Sequence, residues 1–277
     1  MSSSSFAEKY GPWALIAGGA LGLGEAWANA LASRGLNIAS IDRNLAALDK
    51  QKEELELRFG VDVRSIHADL THSDVYDEVV HQTSDLEVGM MVYSAAMEVD
   101  PAKMAPHLFL DGSLQAHRDL IAINVSGPCT FAHHFGALMK ERGHGGLVLI
   151  SSGADGQGSP FVVNYGASKA YETVLAEGLW FELAPHGVDV IAAPLGLTRT
   201  TALANFPQVK AMAADDAVEA IIDQLGKRPQ VVPGRKNSLQ QSFVKRVMPK
   251  KRAIRWFGNI HLNNFLRGNT DYDLYRN

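Results

Sequence analysis

Asn164 to Lys169 (NYGASK) sets a tyrosine, Tyr165, four positions ahead of a lysine, Lys169. On a helix, residues four apart share a face. A free phenol has a pKa of about 10, too high for ready proton exchange at neutral pH. A neighbouring ammonium favours the phenolate and lowers that value, towards the range that general acid–base chemistry needs. Upstream, Leu147 to Pro160 (LVLISSGADGQGSP) carries the serine pair Ser151 and Ser152. Taken singly, these residues have bland readings: a tyrosine packed on an amphipathic helix, a solvated lysine, and serines satisfying backbone at a strand end. Their chemistry depends on something nearby that requires a proton.

The amino-terminal region suggests what that is. WALIAG (13–18) reads as a strand, and the following AGGALGLGEAWANALASRG holds Gly18, Gly22 and Gly24 in a G-x-x-x-G-x-G pattern, with Leu23 inside it. Glycines let backbone turn sharply and approach a ligand closely. The helix start beyond them offers free N–H groups to a pyrophosphate. Strand before and helix after is the context that a dinucleotide cradle requires. Asp42 ends the next strand candidate, 24 residues on (42 − 18), near where an acid binds the adenine ribose hydroxyls. A carboxylate there favours NAD(H) and repels a 2′-phosphate. The adjacent Arg43 pulls towards NADP(H), because it pairs with such a phosphate or stacks on adenine. NAD(H) is the expected cofactor, with NADP(H) open. Asp69, followed by Leu70, ends a third strand and suits either a bond to the adenine amino group or a helix cap.

These residues need elements to position them. Strand candidates lie at 13–18, 37–42, 63–69, 88–95, 146–151 and 188–194; helix candidates lie near 22–34, 44–59, 71–84, 113–141 and 162–184. Strands alternating with helices imply parallel strands joined by crossovers. The strands are apolar throughout, as expected when both sheet faces are covered. The expectation is an α/β fold: a single Rossmann-like, doubly wound parallel sheet with helices on both faces. No linker or repeat divides it, so residues 1–277 are read as one domain, with 235–277 as a basic helical extension.

The sequence resembles the short-chain dehydrogenase/reductase family of the Tyr-x-x-x-Lys type. The resemblance runs from about Tyr10 to Thr200 and rests on ordered motifs: the glycine pattern, Asp42, Asp69-Leu70, YSAA (93–96), INVSG (123–127), ISS (150–152), YGASK (165–169) and PLGLTRT (194–200). It implies about seven strands, PQVVPG (229–234) being the candidate for the last. It implies catalytic roles for Asn124, Ser152, Tyr165 and Lys169. Ser152, 13 positions before Tyr165 (165 − 152), fits better than Ser151. In the implied mechanism Tyr165 passes a proton on oxygen, Ser152 holds that oxygen, Lys169 grips the nicotinamide ribose and Asn124 positions a water leading to Lys169. Ala95, Thr198 and Thr200 join the cofactor residues, and the family usually forms homodimers or homotetramers through its two long helices. The sequence departs from the family pattern at Ala17, where a threonine is usual, at YSAA in place of Asn-Asn-Ala-Gly, and at Gly196, displaced from the position after Pro194.

The 277 residues carry a net charge of −4 and 46% apolar residues. Such totals do not point to nucleic acid. Cys129, the only cysteine, cannot form an internal disulfide, which fits a reducing compartment. The polar start has no signal-peptide pattern, so the expected location is cytoplasmic. His133 and His134 are adjacent, not at metal-ligand spacing, and no metal site is expected. Substrate contacts are expected from Ser152, Gln157 and Phe161, and from Leu203 and Phe206. This largely apolar set suits a lipophilic ketone or secondary alcohol. Between Arg235 and Thr270 there are nine Lys/Arg and no Asp/Glu. Mixed basic and apolar helices can lie on anionic membranes, but Pro249 interrupts any long helix. Packing on the pocket or a second subunit is the favoured reading of this tail. A cofactor-binding scaffold or regulator without turnover, associated with a membrane surface through the tail, is the alternative to an enzyme.

Overall fold

The computed structural model describes residues 3–72, 74–103, 105–199 and 211–276. Thr200, Leu203 and Phe206 lie outside the described residues. After a short helix α1 (Ser3–Tyr10), strands and helices alternate: β1 (Trp13–Ala17), α2 (Leu23–Ala32), β2 (Asn37–Asp42), α3 (Leu45–Phe59), β3 (Val63–His67), α4 (Val75–Gln82) and β4 (Val88–Tyr93). Then come α5 (Leu114–Ile121), α6 (Gly127–Arg142), β5 (Gly145–Ser152), α7 (Val163–Leu183), β6 (Val188–Leu195) and α8 (Ala214–Ile222). Two helices finish the chain, α9 (Arg235–Arg246) and α10 (Lys250–Asn264).

The six strands form one parallel sheet in the order β3-β2-β1-β4-β5-β6. Successive side chains of a strand point to opposite faces. Here Ile16, Ile38, Val92 and Val148 enter one core with α2 and α8, while Leu15, Ala39, Met91 and Leu147 enter another with α4, α6 and α7. All six residues of β4 are buried. Both faces are covered, so the strands read as unbroken apolar runs.

The seventh strand expected at 229–234 does not form. That segment makes one parallel bridge, Ala192 to Gln230, with Ala192 N–H donating to the Pro229 carbonyl (2.9 Å) and Val231 N–H to the Ala192 carbonyl (3.0 Å). Pro229 and Pro233 flank it, and a proline cannot donate to a ladder. The expected helix over 113–141 is also divided. Residues 122–126 form a π-helical turn between α5 and α6.

The order of strands reverses between β1 and β4, whose ends Ala17 and Tyr93 are paired. In open α/β sheets the crevice for ligands lies outside the carboxyl ends of the strands at this switch. The glycine turn after β1, the YSAA segment after β4 and the Ser152 end of β5 all meet there.

Pro249 caps α10 and separates it from α9. Both helices pack over the segment between Ser152 and Tyr165. Lys245 pairs with Asp155 (2.8 Å), Lys250 donates to the Gly156 carbonyl (3.0 Å), and Phe161 sits in a cluster with Leu262, Leu266 and Tyr272. Two cations of the basic run thus point inward, in line with packing on the pocket. No helix among the described residues is long and apolar enough to cross a membrane.

Candidate active site

Gly18, at φ +72°, holds a backbone conformation that side chains rarely adopt, and a Cβ there would lie 2.7 Å from the Ala95 Cα. A Cβ on Gly24 would run into the Gly18 carbonyl. The turn is therefore closed to anything larger than glycine. Gly22 precedes α2 and no side chain caps that helix, leaving its first N–H groups available to an anion. Leu23, the first residue of α2, is buried. Asp42 at the end of β2 reaches the same turn, its Oδ2 accepting from the Ala20 N–H (3.2 Å) and its Oδ1 from the Asn44 N–H (3.0 Å). The helix cap of α3 is Asn44, which accepts from the Ala47 N–H. These features suit a dinucleotide: a tight, side-chain-free turn, a helix start and a carboxylate one strand over.

Asp69 accepts from both the backbone and hydroxyl of Thr71. Burial opposes its ionisation, but those bonds and the charges of Arg43 and His72 hold its carboxyl below the ordinary value. Arg43 itself is exposed. Leu70 is buried, and its carbonyl accepts from the Tyr76 hydroxyl (3.0 Å). Tyr93, which stands where the family has asparagine, is also absorbed. Its hydroxyl donates to the Ile123 carbonyl (2.6 Å), and Gly127 makes room for it. The π-helical turn is thus tied to β4, and its Asn124 is fully buried. π-Bulges are frequent at functional sites. The Asn124 amide accepts from the Met97 N–H (2.9 Å) and donates to the Met97 carbonyl (2.8 Å) and the Ser168 hydroxyl (3.0 Å). It makes no direct bond to Lys169.

Tyr165 and Lys169 share one face of α7, with the Lys169 Nζ 5.7 Å from the centre of the phenol ring. The Ser152 hydroxyl lies on the Tyr165 side, where it favours ionisation of the phenol, and it accepts from the Ala154 N–H (3.3 Å). Ser151 turns the other way. It donates to the Lys169 carbonyl (2.7 Å) and lies 2.7 Å from the Thr173 hydroxyl, whose single proton is shared between Ser151 and Asp155 (2.8 Å). The two serines therefore differ in kind: Ser152 faces the phenol, and Ser151 ties β5 to the helix backbone.

The electrostatics depart from the expectation that the lysine lowers the phenol's pKa. Lys169 Nζ donates to the Ile150 carbonyl (2.8 Å) and to both oxygens of Glu172 (2.9 Å each). Both side chains are nearly fully buried, at 3% and 1% exposure. Glu172 is pushed up to about 7 by burial, against the opposing pull of Lys169. Tyr165 lies above its ordinary value, first through burial and then through the Glu98 carboxylate, with smaller contributions from Glu172 and Asp155; the Ser152 hydroxyl works the other way. The ammonium is close, but its charge is matched by a carboxylate of its own. Glu98, three residues past Ala95, is an exposed residue; desolvation of its carboxyl raises its pKa against the pull of Lys169.

A small pocket opens beside Tyr165, lined by Glu98, Val99, His107, Phe161 and Asn164 among others. Phe161 is held at φ +69°, a strained conformation of the kind that clusters at functional sites, and its ring meets Tyr272 and Tyr275 edge-on. Gln157 is buried and donates to the Gly153 carbonyl (3.4 Å). Thr198 donates to the Gly196 carbonyl (3.1 Å). Glu98 and Glu172 were not among the expected site residues. Glu172 could have been found: it is seven positions after Tyr165, on the same stripe of the helix, where an apolar residue is the norm. No group of three or more His, Cys, Asp or Glu is placed to hold a metal among the described residues.

A parallel sheet with its switch point beside a glycine turn and a Ser/Tyr/Lys cluster defines a nucleotide-dependent oxidoreductase class. The short chain dehydrogenase profile matches residues 12–211, and the chain belongs to that family, whose members act on alcohol and carbonyl groups. A 7beta-hydroxysteroid dehydrogenase of Clostridium sardiniense is 30% identical over 239 residues, covering 84% of this chain and 89% of that protein. A solved structure of a 7beta-hydroxysteroid dehydrogenase superposes with a TM-score of 0.86 at 27% identity, over 93% of this chain and all of that one. The bulky-bulky ketone specific alcohol dehydrogenase of Comamonas testosteroni superposes at 0.72 with 26% identity, over 88% and 98% of the two chains.

Proposed function

We propose that this protein moves a hydride between NAD(H) and a bulky lipophilic ketone or secondary alcohol, with Tyr165 as the general acid or base. The observation that carries this reading is that Tyr165 and Lys169 share one face of α7, with the Lys169 Nζ 5.7 Å from the centre of the phenol ring, in a cleft at the switch point beside a turn that admits only glycine. The bound nicotinamide supplies the hydride donor or acceptor; the protein aims it. Tyr165 gives its proton to the carbonyl oxygen in reduction and takes it back in oxidation. Ser152 bonds that oxygen and holds it in line. Lys169 would meet the ribose only by giving up a bond to Ile150 or Glu172, and Asn124 anchors the Met97 segment and Ser168 around it. Gly18, Gly22, Leu23, Gly24 and Ala95 surround the pyrophosphate, while Asp42, Arg43, Asp69 and Leu70 form the adenosine side. Asp42 favours NAD(H).

Steroid-like alcohols are the leading substrate class, because relatives spanning most of the chain are hydroxysteroid dehydrogenases by name. One domain carries the function, residues 235–277 included. A homodimer or homotetramer buries the exposed Leu138 of α6 and Val174 and Phe181 of α7. Fluorescence titration with NADH and NADPH tests the cofactor, with tighter NADH binding expected. Turnover is then screened on 7β-hydroxysteroids, bulky ketones and secondary alcohols. Tyr165→Phe lowers kcat by at least about a hundredfold and leaves dinucleotide binding in place; undiminished turnover in that variant rules the mechanism out.

The closed Lys169–Glu172 pair favours a second reading, a dinucleotide-binding scaffold without turnover. Tight NADH binding with no substrate in the screen, and unchanged biological activity of Tyr165→Phe, are its outcomes.

A further inference from the structure

Tyr165, Lys169, Glu172 and Ala176 fall at i, i+4, i+7 and i+11 of α7, one continuous stripe facing the sheet. The stripe carries a phenol, an ammonium and a carboxylate in sequence. An ammonium has three N–H donors. Here they face the Ile150 carbonyl and both Glu172 oxygens, all within 2.9 Å. Nothing of the cation's hydrogen-bonding capacity is left for a neighbour on its Tyr165 side. Glu172 itself is fully buried, and a lone carboxylate there carries a large desolvation cost. Lys169 is its only hydrogen-bonding side chain among the described residues.

We propose that Glu172 is a positioning residue of this site: by closing an ion pair with Lys169 it withholds the cation from Tyr165, keeps the phenol protonated and so holds back the oxidation direction, which needs the phenolate. The inference rests on the reading of Tyr165 as the acid–base group. The balance is simple. In reduction, hydride adds to the carbonyl carbon and the phenol proton to its oxygen, while the nicotinamide is oxidised; the protonated phenol is the competent form. In oxidation the phenolate must take the alcohol proton. A cation left unpaired beside the phenol would populate that phenolate; a cation matched by a carboxylate does not.

The other charges around the cluster act in the same direction. Glu98, from the segment after β4, and Asp155, from the turn after β5, are both anions whose fields reach Tyr165. Asp155 has its own cation, Lys245 of α9. From β4, Tyr93 senses Glu172 and is raised well above the ordinary tyrosine range, chiefly by burial. Asn124 and Ser168 contribute no charge. Lys169 is the one cation on the stripe, and Glu172 is the group that decides how much of it the phenol feels.

The test uses the full-length protein saturated with oxidised cofactor. Phenol ionisation is followed by tyrosinate absorbance, with the Tyr165→Phe protein subtracted to isolate this tyrosine. Where the screen has found an alcohol substrate, the pH dependence of kcat/KM for its oxidation is measured alongside. Glu172→Gln is expected to move both transitions to lower pH by about 1–3 units, the span over which a single neighbouring charge acts. Glu172→Asp, which keeps the charge but draws it back by a methylene, moves them less and in the same direction. If Glu172→Gln does not fold, Glu172→Asp carries the test alone, a downward shift supporting the proposal. Transitions that stay in place or rise in the folded variants overturn it. A protein that binds dinucleotide but oxidises no alcohol retires the substrate reading and leaves the absorbance titration to decide the role of Glu172. A protein that binds neither NAD(H) nor NADP(H) overturns both.

Discussion

Both carboxylate oxygens of Asp42 accept backbone N–H groups, one from the glycine turn and one from the start of α3. The residue therefore ties the glycine turn to the start of α3, in addition to the ribose contact proposed for it. Asp42→Ala is expected to weaken NADH binding and narrow the gap between NADH and NADPH, read by fluorescence titration; tighter NADPH binding by the unmodified protein would reverse the assignment. Glu172 makes a prediction of a different kind. Its folded pKa, about 7, lies above the ordinary 4.5. Between those values the folded state holds a proton that the unfolded chain has released, so stability falls as pH rises through that window. Glu172→Gln has no such group. The stability of the unmodified protein relative to this variant is therefore expected to decline from about pH 4.5 to about 7, measured by thermal denaturation at each pH. A difference that grows with pH over that range contradicts the burial of Glu172.

The turn between β1 and α2 is the element with least freedom. Gly24→Ala puts a methyl group against the Gly18 carbonyl, and backbone has to move. A loss of about 1–3 kcal/mol and a sharp drop in dinucleotide affinity are expected, by chemical denaturation and NADH titration; unchanged affinity would mean that the turn does not cradle the cofactor. Most of this architecture was legible in advance. The six strands lie where unbroken apolar runs end in small or acidic residues, because a sheet covered on both faces leaves that pattern. The seventh was misread because Val231 and Val232 look like strand while the prolines around them remove its donors. The π-helical turn at Asn124 (Ala122–Ser126) is not read from the sequence, because it shifts the phase of the helical pattern only once, between two short helices. What holds it is remote in sequence: the Tyr76 hydroxyl on the Ala122 carbonyl and the Tyr93 hydroxyl on the Ile123 carbonyl.

Across the molecule, the carboxyl-terminal helices are joined to α7 by a chain of polar contacts. Lys245 bonds Asp155, the Thr173 hydroxyl lies between Asp155 and Ser151 and shares its one proton with them, and Ser151 donates to the Lys169 carbonyl. Asp155 is 1% exposed, so removing its cation leaves a buried carboxylate without a partner of opposite charge. Lys245→Ala is expected to cost about 1–3 kcal/mol and to lower turnover more than cofactor affinity, because it loosens the segment leading to Tyr165 rather than the glycine turn. Equal loss of both, or of neither, would place the tail outside the site.

The order of motifs along the chain already specified an α/β sheet, a tight glycine turn at a helix start and a Ser/Tyr/Lys set, because glycine at a tight turn, apolar residues in a covered strand and i, i+4 spacing on a helix are local requirements. Which serine faces the phenol, whether the basic tail turns inward, and whether Lys169 stands free or paired are decided by groups that meet only when distant segments pack. Charge effects depend on burial and on distance through space, and neither is written in the spacing of the letters.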